Sequence, residues 1–295
     1  MISVMGATGH IGRKVTEALL EAGQPVRALG RSESKLAGLA AGGAEIRPGD
    51  AADAAYLTDA FRGADAVLVL LPSNFQAADY RAAQNELSAA IAAAIRDSAV
   101  RSVVAISSLG AELADGTGPI ATLHDFERHL TQLEGVDVLI LRPAYFFENF
   151  EESLGLIRSQ GIHANGNAPD IPVPMIATRD IAAVAADALR TRNWHGVEVR
   201  ELHGPRDLTF AEATRILGAR LGIPDLPYVR VSYDDLEATY RDIGFSPDVA
   251  RTYVEMVKAL DVGLIRSKSN QQGAVAMPTR FEEFVDVLAD QFRRV

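Results

Sequence analysis

The sequence predicts an α/β chain, a doubly wound parallel sheet followed by a smaller, mostly helical C-terminal lobe. Three observations carry this. Short β-rich runs alternate with amphipathic segments through the first 145 residues, a glycine-rich turn joins the first run to the first helix, and from Thr209 onward helical patterns dominate. Short strands separated by helices make βαβ units, and such units build a parallel sheet covered on both faces.

Strands are expected over residues 2–5, 26–29, 45–47, 66–71, 103–107 and 138–141. The helix expected over 120–134 shows the surface pattern, with Ile120, Leu123, Phe126, Leu130 and Leu133 at helical spacing behind Pro119. After Phe150 the pattern changes. Residues 155–174 are rich in Gly, Pro and Asn, 179–190 read as a helix and 197–203 as a strand, and Thr209 is a candidate N-cap with Glu212 at capping-box spacing. The chain is thus expected to leave the main sheet, return to it and leave again. A first domain spans 1–150, 178–205 return to it, and the remaining segments of 151–295 form the second lobe, with a cleft over the strands' C-terminal ends.

With 48% hydrophobic residues over 295 positions the chain can bury one large core, and a mean hydropathy of +0.05 excludes a disordered or fibrous class. A net charge of -10 repels phosphate backbones and anionic lipid, so neither nucleic acid nor membrane is an expected partner. No cysteine is present, which removes disulfides, thiolate nucleophiles and Cys-ligated metals, and the six histidines form no HExxH; no metal site is expected. The N-terminus runs straight into a strand, and the Ala-rich stretch over 82–94 is interrupted by Gln84, Asn85 and Glu86, so the expected location is cytoplasmic.

The turn Gly6-Ala7-Thr8-Gly9-His10-Ile11-Gly12 follows the first strand and opens a helix through Val15, Ala18, Leu19 and Leu20. Residues without side chains are needed where backbone turns tightly, where it approaches a pyrophosphate, and where helix packs on strand. The helix N-terminus then offers free N–H groups and partial positive charge to phosphate. A Rossmann-type dinucleotide site is the expectation, formed by Gly6, Thr8, Gly9, His10, Ile11 and Gly12. About 20 residues on, an acid would bind the ribose 2′-hydroxyl and repel a 2′-phosphate. Arg31 stands there instead, with Ser32 as a further donor and Lys35 nearby, which favours NADP(H), while Glu33 weighs against it. Asp50, after the third strand, can bond the adenine amino group or cap the following helix. Leu71 and Pro72 end the fourth strand near the expected ribose and nicotinamide.

Read together with Val26-Arg-Ala-Leu-Gly-Arg-Ser32, Gly49-Asp50, Ile106-Ser-Ser-Leu-Gly-Ala111, Leu141-Arg-Pro-Ala-Tyr-Phe-Phe-Glu-Asn149, Thr178-Arg-Asp-Ile-Ala182 and Leu202-His-Gly-Pro-Arg-Asp-Leu-Thr209, these elements resemble the NmrA-like branch of the atypical short-chain dehydrogenase/reductases over nearly the whole chain. The resemblance implies NADP(H) binding and points towards members similar to NADPH-dependent quinone reductases.

The Tyr-xxx-Lys pair of ordinary short-chain dehydrogenases is missing: none of the tyrosines at 56, 80, 145, 228, 233, 240 and 253 has lysine four residues later. His124, eleven residues before Gly135, occupies the position that holds a catalytic lysine in the phenylpropanoid-reducing relatives and histidine in those similar to quinone reductases. It sits beside the apolar stripe of its helix, and two roles are open: proton exchange near neutral pH, or holding a backbone carbonyl or the nicotinamide ribose. Tyr145 either faces a substrate or packs with Phe146 and Phe147 beneath the lobe. Ser107 either orients substrate or cofactor or starts a turn. Asn149 is expected to tie down backbone at the lobe junction, and Asp180 to cap its helix. The leading expectation is an NADPH-dependent reductase delivering hydride to a small conjugated acceptor, a quinone or enone, with His124, Tyr145 and Ser107 as catalytic candidates. The rival is a non-catalytic NADP(H) sensor in which residues 150–175 change binding to a protein partner. A sugar epimerase or dehydratase would also need the missing tyrosine and lysine. Oligomeric state is not legible.

Overall fold

The computed structural model describes residues 1–266 and 274–294. From the N-terminus, strands β1 (Ile2–Val4), β2 (Val26–Gly30), β3 (Glu45–Pro48), β4 (Ala66–Leu70), β5 (Ser102–Ile106) and β6 (Asp137–Pro143) alternate with helices α1 (His10–Glu21), α2 (Glu33–Ala41), α3 (Ala54–Phe61), α4 (Tyr80–Ser98) and α5 (Pro119–Thr131). There follow β7 (Tyr145–Phe146), a 3-10 turn (Phe147–Ser153), α6 (Leu154–Gln160), β8 (His163–Asn165), β9 (Val173–Ile176), α7 (Thr178–Thr191) and β10 (Val197–His203). The chain closes with β11 (Asp207–Leu208), α8 (Phe210–Leu221), β12 (Tyr228–Arg230), α9 (Tyr233–Asp242), α10 (Pro247–Asp261), β13 (Ala274–Ala276) and α11 (Phe281–Arg294).

Eight strands form one sheet in the order β13-β10-β6-β5-β4-β1-β2-β3, and every pairing in it is parallel. Both faces are buried because the side chains of each strand alternate between two cores. Ala66 and Leu68 point into the core beneath α1 and α7, whereas Val67 and Val69 point into the one beneath α3, α4 and α5; Val104 and Ile106 against Val103 and Ala105 repeat the pattern. The chain winds outward from β1 to β3, then restarts at β4 on the other side of β1. Between β1 and β4 the order reverses, which opens a crevice at the carboxyl ends of these two strands.

The structure departs from the sequence reading at the edges. The fourth strand ends at Leu70, so Leu71 and Pro72 belong to the loop beyond it. The fifth runs one residue earlier than expected and leaves Ser107 just past its end, its N–H still bonded to the Leu141 carbonyl at 2.8 Å. The return to the sheet carries one strand more than the sequence pattern shows: β13 pairs with the last three residues of β10. A three-stranded sheet (β11-β9-β7) and the β12-β8 pair stand outside the main sheet with α8, α9 and α10. No helix among the described residues is long and apolar enough to cross a membrane.

Candidate cofactor and substrate site

The glycine turn lies where β1 hands over to α1, in the crevice beside β4. Gly6 adopts φ +64°, and a Cβ there would press on Leu70 at 3.0 Å. Gly12 admits no side chain: a Cβ would stand 2.3 Å from the Gly6 carbonyl oxygen and 2.9 Å from that of Met5. The turn is closed by Gly9 N–H donating to Gly6 O at 2.9 Å, and the helix ladder starts with Arg13 N–H to Gly9 O at 3.1 Å. The N–H groups of His10, Ile11 and Gly12 therefore precede the ladder, and neither a capping side chain nor a first-turn acid competes for them. This cradle fits a pyrophosphate: it is narrow, without side chains on its inner wall, and carries the positive end of α1. Ile11 is buried and anchors the helix, while Thr8 and His10 are exposed at the rim. His10 Nε2 lies 3.9 Å from Glu151.

Beside the cradle, the Thr8 methyl lies 3.3 Å from where a Gly30 Cβ would be, so the start of the cradle abuts the end of β2. Arg31, next in the chain, is exposed, and its side chain makes no hydrogen bond or ion pair among the described residues. Ser32 caps α2, its Oγ accepting from Lys35 N–H at 3.4 Å and sharing a hydrogen bond with Ser34 Oγ at 2.9 Å. Asp50 is not a helix cap. Its Oδ1 accepts from Ala52 N–H at 3.0 Å in a local turn, and Asp53 caps α3 through Ala55 and Tyr56. Gly49 is required because the Tyr56 ring lies across it, held by its hydroxyl donating to the Arg47 carbonyl.

Past the carboxyl ends of β4, β5 and β6 lies a cavity of about 310 Å³ walled by Leu71, Ser73, Ser107, Tyr145, Asn149 and Tyr253, with further apolar residues from α5 and α10. None of its described wall residues is charged. A second hollow, between α4 and α5, borders Arg101 and Val136 at the opposite, amino end of the sheet, away from the cradle.

Of the catalytic candidates, Tyr145 and Ser107 border the cavity and His124 does not. The Tyr145 ring borders the cavity and packs edge-on against Phe210 (5.5 Å) and Phe150 (6.3 Å), whereas the sequence reading named Phe146 and Phe147 as its packing partners. Burial first, and then the Glu152 carboxylate nearby, pushes its phenol far above the ordinary tyrosine range. It stays a donor. Asn149 itself borders the cavity, beyond the structural duty the sequence suggested. His124 Nδ1 lies 3.0 Å from the Ala111 carbonyl oxygen. A carbonyl only accepts, so Nδ1 carries a proton and donates it to Ala111. Pro72 contributes its carbonyl, which accepts from Gln84 Nε2 at 3.3 Å.

Three sets of residues were not foreseen. Gln84 also donates to the Tyr80 hydroxyl (2.9 Å), which donates to Ser73 Oγ (3.3 Å), itself 3.3 Å from the Tyr253 hydroxyl. Gln84, a polar break in an Ala-rich helix, was the one signal available for that chain. Glu127, buried in α5, accepts from Ser107 Oγ and from Arg142. Glu148 accepts from the Thr178 N–H and hydroxyl at the start of α7, and Asp180, an acid in the first turn of α7 as expected, also accepts from the Thr279 N–H and hydroxyl.

Residues 6–192 match the family model described as NAD(P)H-binding. The chain belongs to this NAD(P)H-binding family. It is similar to a (4-alkanoyl-5-oxo-2,5-dihydrofuran-3-yl)methyl phosphate reductase of Streptomyces griseus, at 35% identity over 76% of this chain and 75% of the relative. The fold of this NAD(P)H-binding oxidoreductase is shared with the NADPH-dependent quinone oxidoreductase of Escherichia coli in complex with NADPH (TM-score 0.79, 24% identity, 98% of this chain and 99% of that one). It is shared equally with the Citrobacter sp. triphenylmethane reductase in complex with NADP(H) (TM-score 0.80, 23% identity, 98% and 100%).

Proposed function

We propose that this NAD(P)H-binding oxidoreductase, an NmrA-like member of the atypical short-chain dehydrogenases, uses NADP(H) to reduce a small, uncharged conjugated acceptor such as a quinone or enone. The observation that carries this reading is the cavity beyond β4–β6: about 310 Å³, apolar, and without a charged residue in its described wall. The phosphate of the Streptomyces relative's substrate would find no cation in that wall, which favours a neutral acceptor here.

The preference for NADP(H) rests on Arg31, a guanidinium at the end of β2 with no partner among the described residues and no acid in the place that would bind a 2′-hydroxyl. Gly6, Gly9 and Gly12 shape the cradle for the pyrophosphate, His10, Ile11 and Gly12 offer it backbone N–H groups, and Thr8 borders it. Ser32 donates near the 2′-phosphate, Asp50 faces the adenine end, and Leu71 and Pro72 border the nicotinamide end. When bound, NADPH supplies a hydride. The chain's own residues then orient the acceptor and exclude water. Tyr145 and Asn149 present donors to the oxygen where negative charge develops. Because burial keeps the Tyr145 phenol protonated, it serves as a hydrogen-bond donor and not as a base. His124 holds the segment between β5 and α5 through Ala111, as a positioning residue. A hydroquinone anion is a stable product, so a strong acid is not required and the missing Tyr-xxx-Lys pair is tolerable.

The test is the loss of NADPH absorbance, and separately of NADH, against a panel of quinones and enones. Turnover with NADPH is expected, with kcat falling about ten- to a hundred-fold in Tyr145→Phe and Asn149→Ala, the range of a hydrogen bond to a charged group. NADPH binding without turnover across the panel overturns the reading and leaves the sensor.

A further inference from the structure

The wall of the cavity has a fixed polarity at one point. Ser107 is 5% exposed, and its Oγ donates to Glu127 Oε1 at 2.5 Å. Glu127 is in turn gripped by Arg142, whose Nε donates to Oε1 at 2.9 Å and whose Nη2 donates to Oε2 at 2.6 Å. Arg142 also reaches Glu112 at 3.2 Å. A guanidinium has donors only, so both Glu127 oxygens are acceptors and the carboxylate has no proton to return. The serine's single proton is therefore spent inward, in a charge-assisted bond about twice as strong as a neutral one. What Ser107 can offer the cavity is a lone pair. A bare carbonyl opposite it meets lone pair against lone pair, whereas an N–H or O–H finds an acceptor.

Resting on the proposed reductase reading of this cavity, we infer that the pocket selects conjugated acceptors that carry a hydrogen-bond donor, an amino or hydroxyl substituent on the ring, and that Ser107 accepts from it. Glu127 and Arg142 hold the serine in that orientation. A reading in which Ser107 donates to the carbonyl being reduced would require its proton to leave a buried carboxylate.

Two molecules could present a donor to Ser107: the acceptor, or the cofactor with its carboxamide and ribose groups. They separate in a binding experiment on the NADP⁺-loaded protein, where no turnover is needed. Calorimetric titration compares 2-amino-1,4-naphthoquinone with 2-methyl-1,4-naphthoquinone, which have similar size and differ in the donor. The wild type is expected to bind the amino compound about five-fold more tightly, the strength of one net hydrogen bond. Ser107→Ala is expected to bring the ratio to about one while NADP⁺ affinity holds, with a lowered melting temperature because the buried Glu127 loses a charge-assisted bond. Equal binding of the two compounds by the wild type, survival of the preference in Ser107→Ala, or a loss confined to NADP⁺ affinity overturns the inference. So does failure of both to bind. If the preference and its loss are seen but neither compound is reduced with NADPH, the reductase reading falls and this one stands.

Discussion

Substituting Gly12 by alanine tests the cofactor cradle most directly. The added Cβ would stand 2.3 Å from the Gly6 carbonyl oxygen, 2.6 Å from its carbon and 2.9 Å from the Met5 oxygen, all backbone atoms of the strand-to-helix turn. Restoring an ordinary contact of 3.4 Å to the nearest requires the start of α1 to lift by about 1 Å. The Gly9 N–H to Gly6 O bond, now 2.9 Å, spans the same gap and would be stretched beyond bonding range. Overpacking of this kind costs about 1–3 kcal/mol and the lost hydrogen bond about 1 kcal/mol more, so a fall in stability of about 2–4 kcal/mol is expected. Any phosphate oxygen bonded to the first N–H groups of α1 would move out of reach by the same displacement. Because charge-assisted bonds contribute about 1.5–3 kcal/mol each, NADPH affinity should drop at least ten-fold. Gly9→Ala is the matched control. Its Cβ would meet only Gly6 O, at 3.4 Å, and its φ of -93° suits any residue, so stability should hold while close approach of phosphate suffers. Urea unfolding and titration of NADPH fluorescence read the two quantities separately. A Gly12→Ala protein with wild-type stability and affinity within two-fold of wild type would refute the geometry of the cradle.

Arg31→Ala should weaken NADPH about ten-fold or more and NADH less than two-fold by the same titration; equal losses would sink the 2′-phosphate assignment. His163 is 1% exposed and donates through Nδ1 to Thr214 Oγ1 at 2.6 Å, the threonine hydroxyl being spent on the Phe210 carbonyl, and burial lowers its pKa from 6.5 to about 4. A proton thus favours the unfolded chain, and the stability contributed by neutral His163 is full above about pH 6.5 and lost as pH falls towards 4, by about 2 kcal/mol at about pH 5. Urea unfolding at both pH values should show this loss, smaller by that amount in His163→Gln; an equal loss in both proteins would contradict it. Glu148→Ala leaves the buried Thr178 N–H and hydroxyl without their acceptor and should cost about 2–4 kcal/mol of unfolding free energy. A change under about 0.5 kcal/mol would mean that water replaces the carboxylate.

What was legible in the sequence follows the range of the physics. The alternation of Ala66, Val67, Leu68 and Val69 between two cores, the glycines of the cradle, and the N-cap Thr209 accepting from Glu212 N–H at 3.0 Å express demands set within a few residues. Glu212 shows where that stops: its carboxylate pairs with Arg206 and does not complete the capping box. Asp50 and Asp53 show the same limit at finer scale, since either acid could cap α3 and only the backbone path after β3 selects Asp53.

The sequence by itself therefore determined the class of fold, the dinucleotide cradle and the absence of the usual catalytic pair. Tertiary structure alone decided the cavity: that Tyr253 of α10 joins its wall, that Asn149 faces it, that His124 turns to Ala111, and that Ser107 turns its proton to Glu127. Ser107, Glu127 and Arg142 come from a strand end, a helix and a neighbouring strand, and β13 reaches β10 from more than seventy residues away. Turns and strand alternation depend on local sterics and solvent exposure. Which buried donor meets which acceptor depends on how separate elements pack, and no spacing along the chain encodes that.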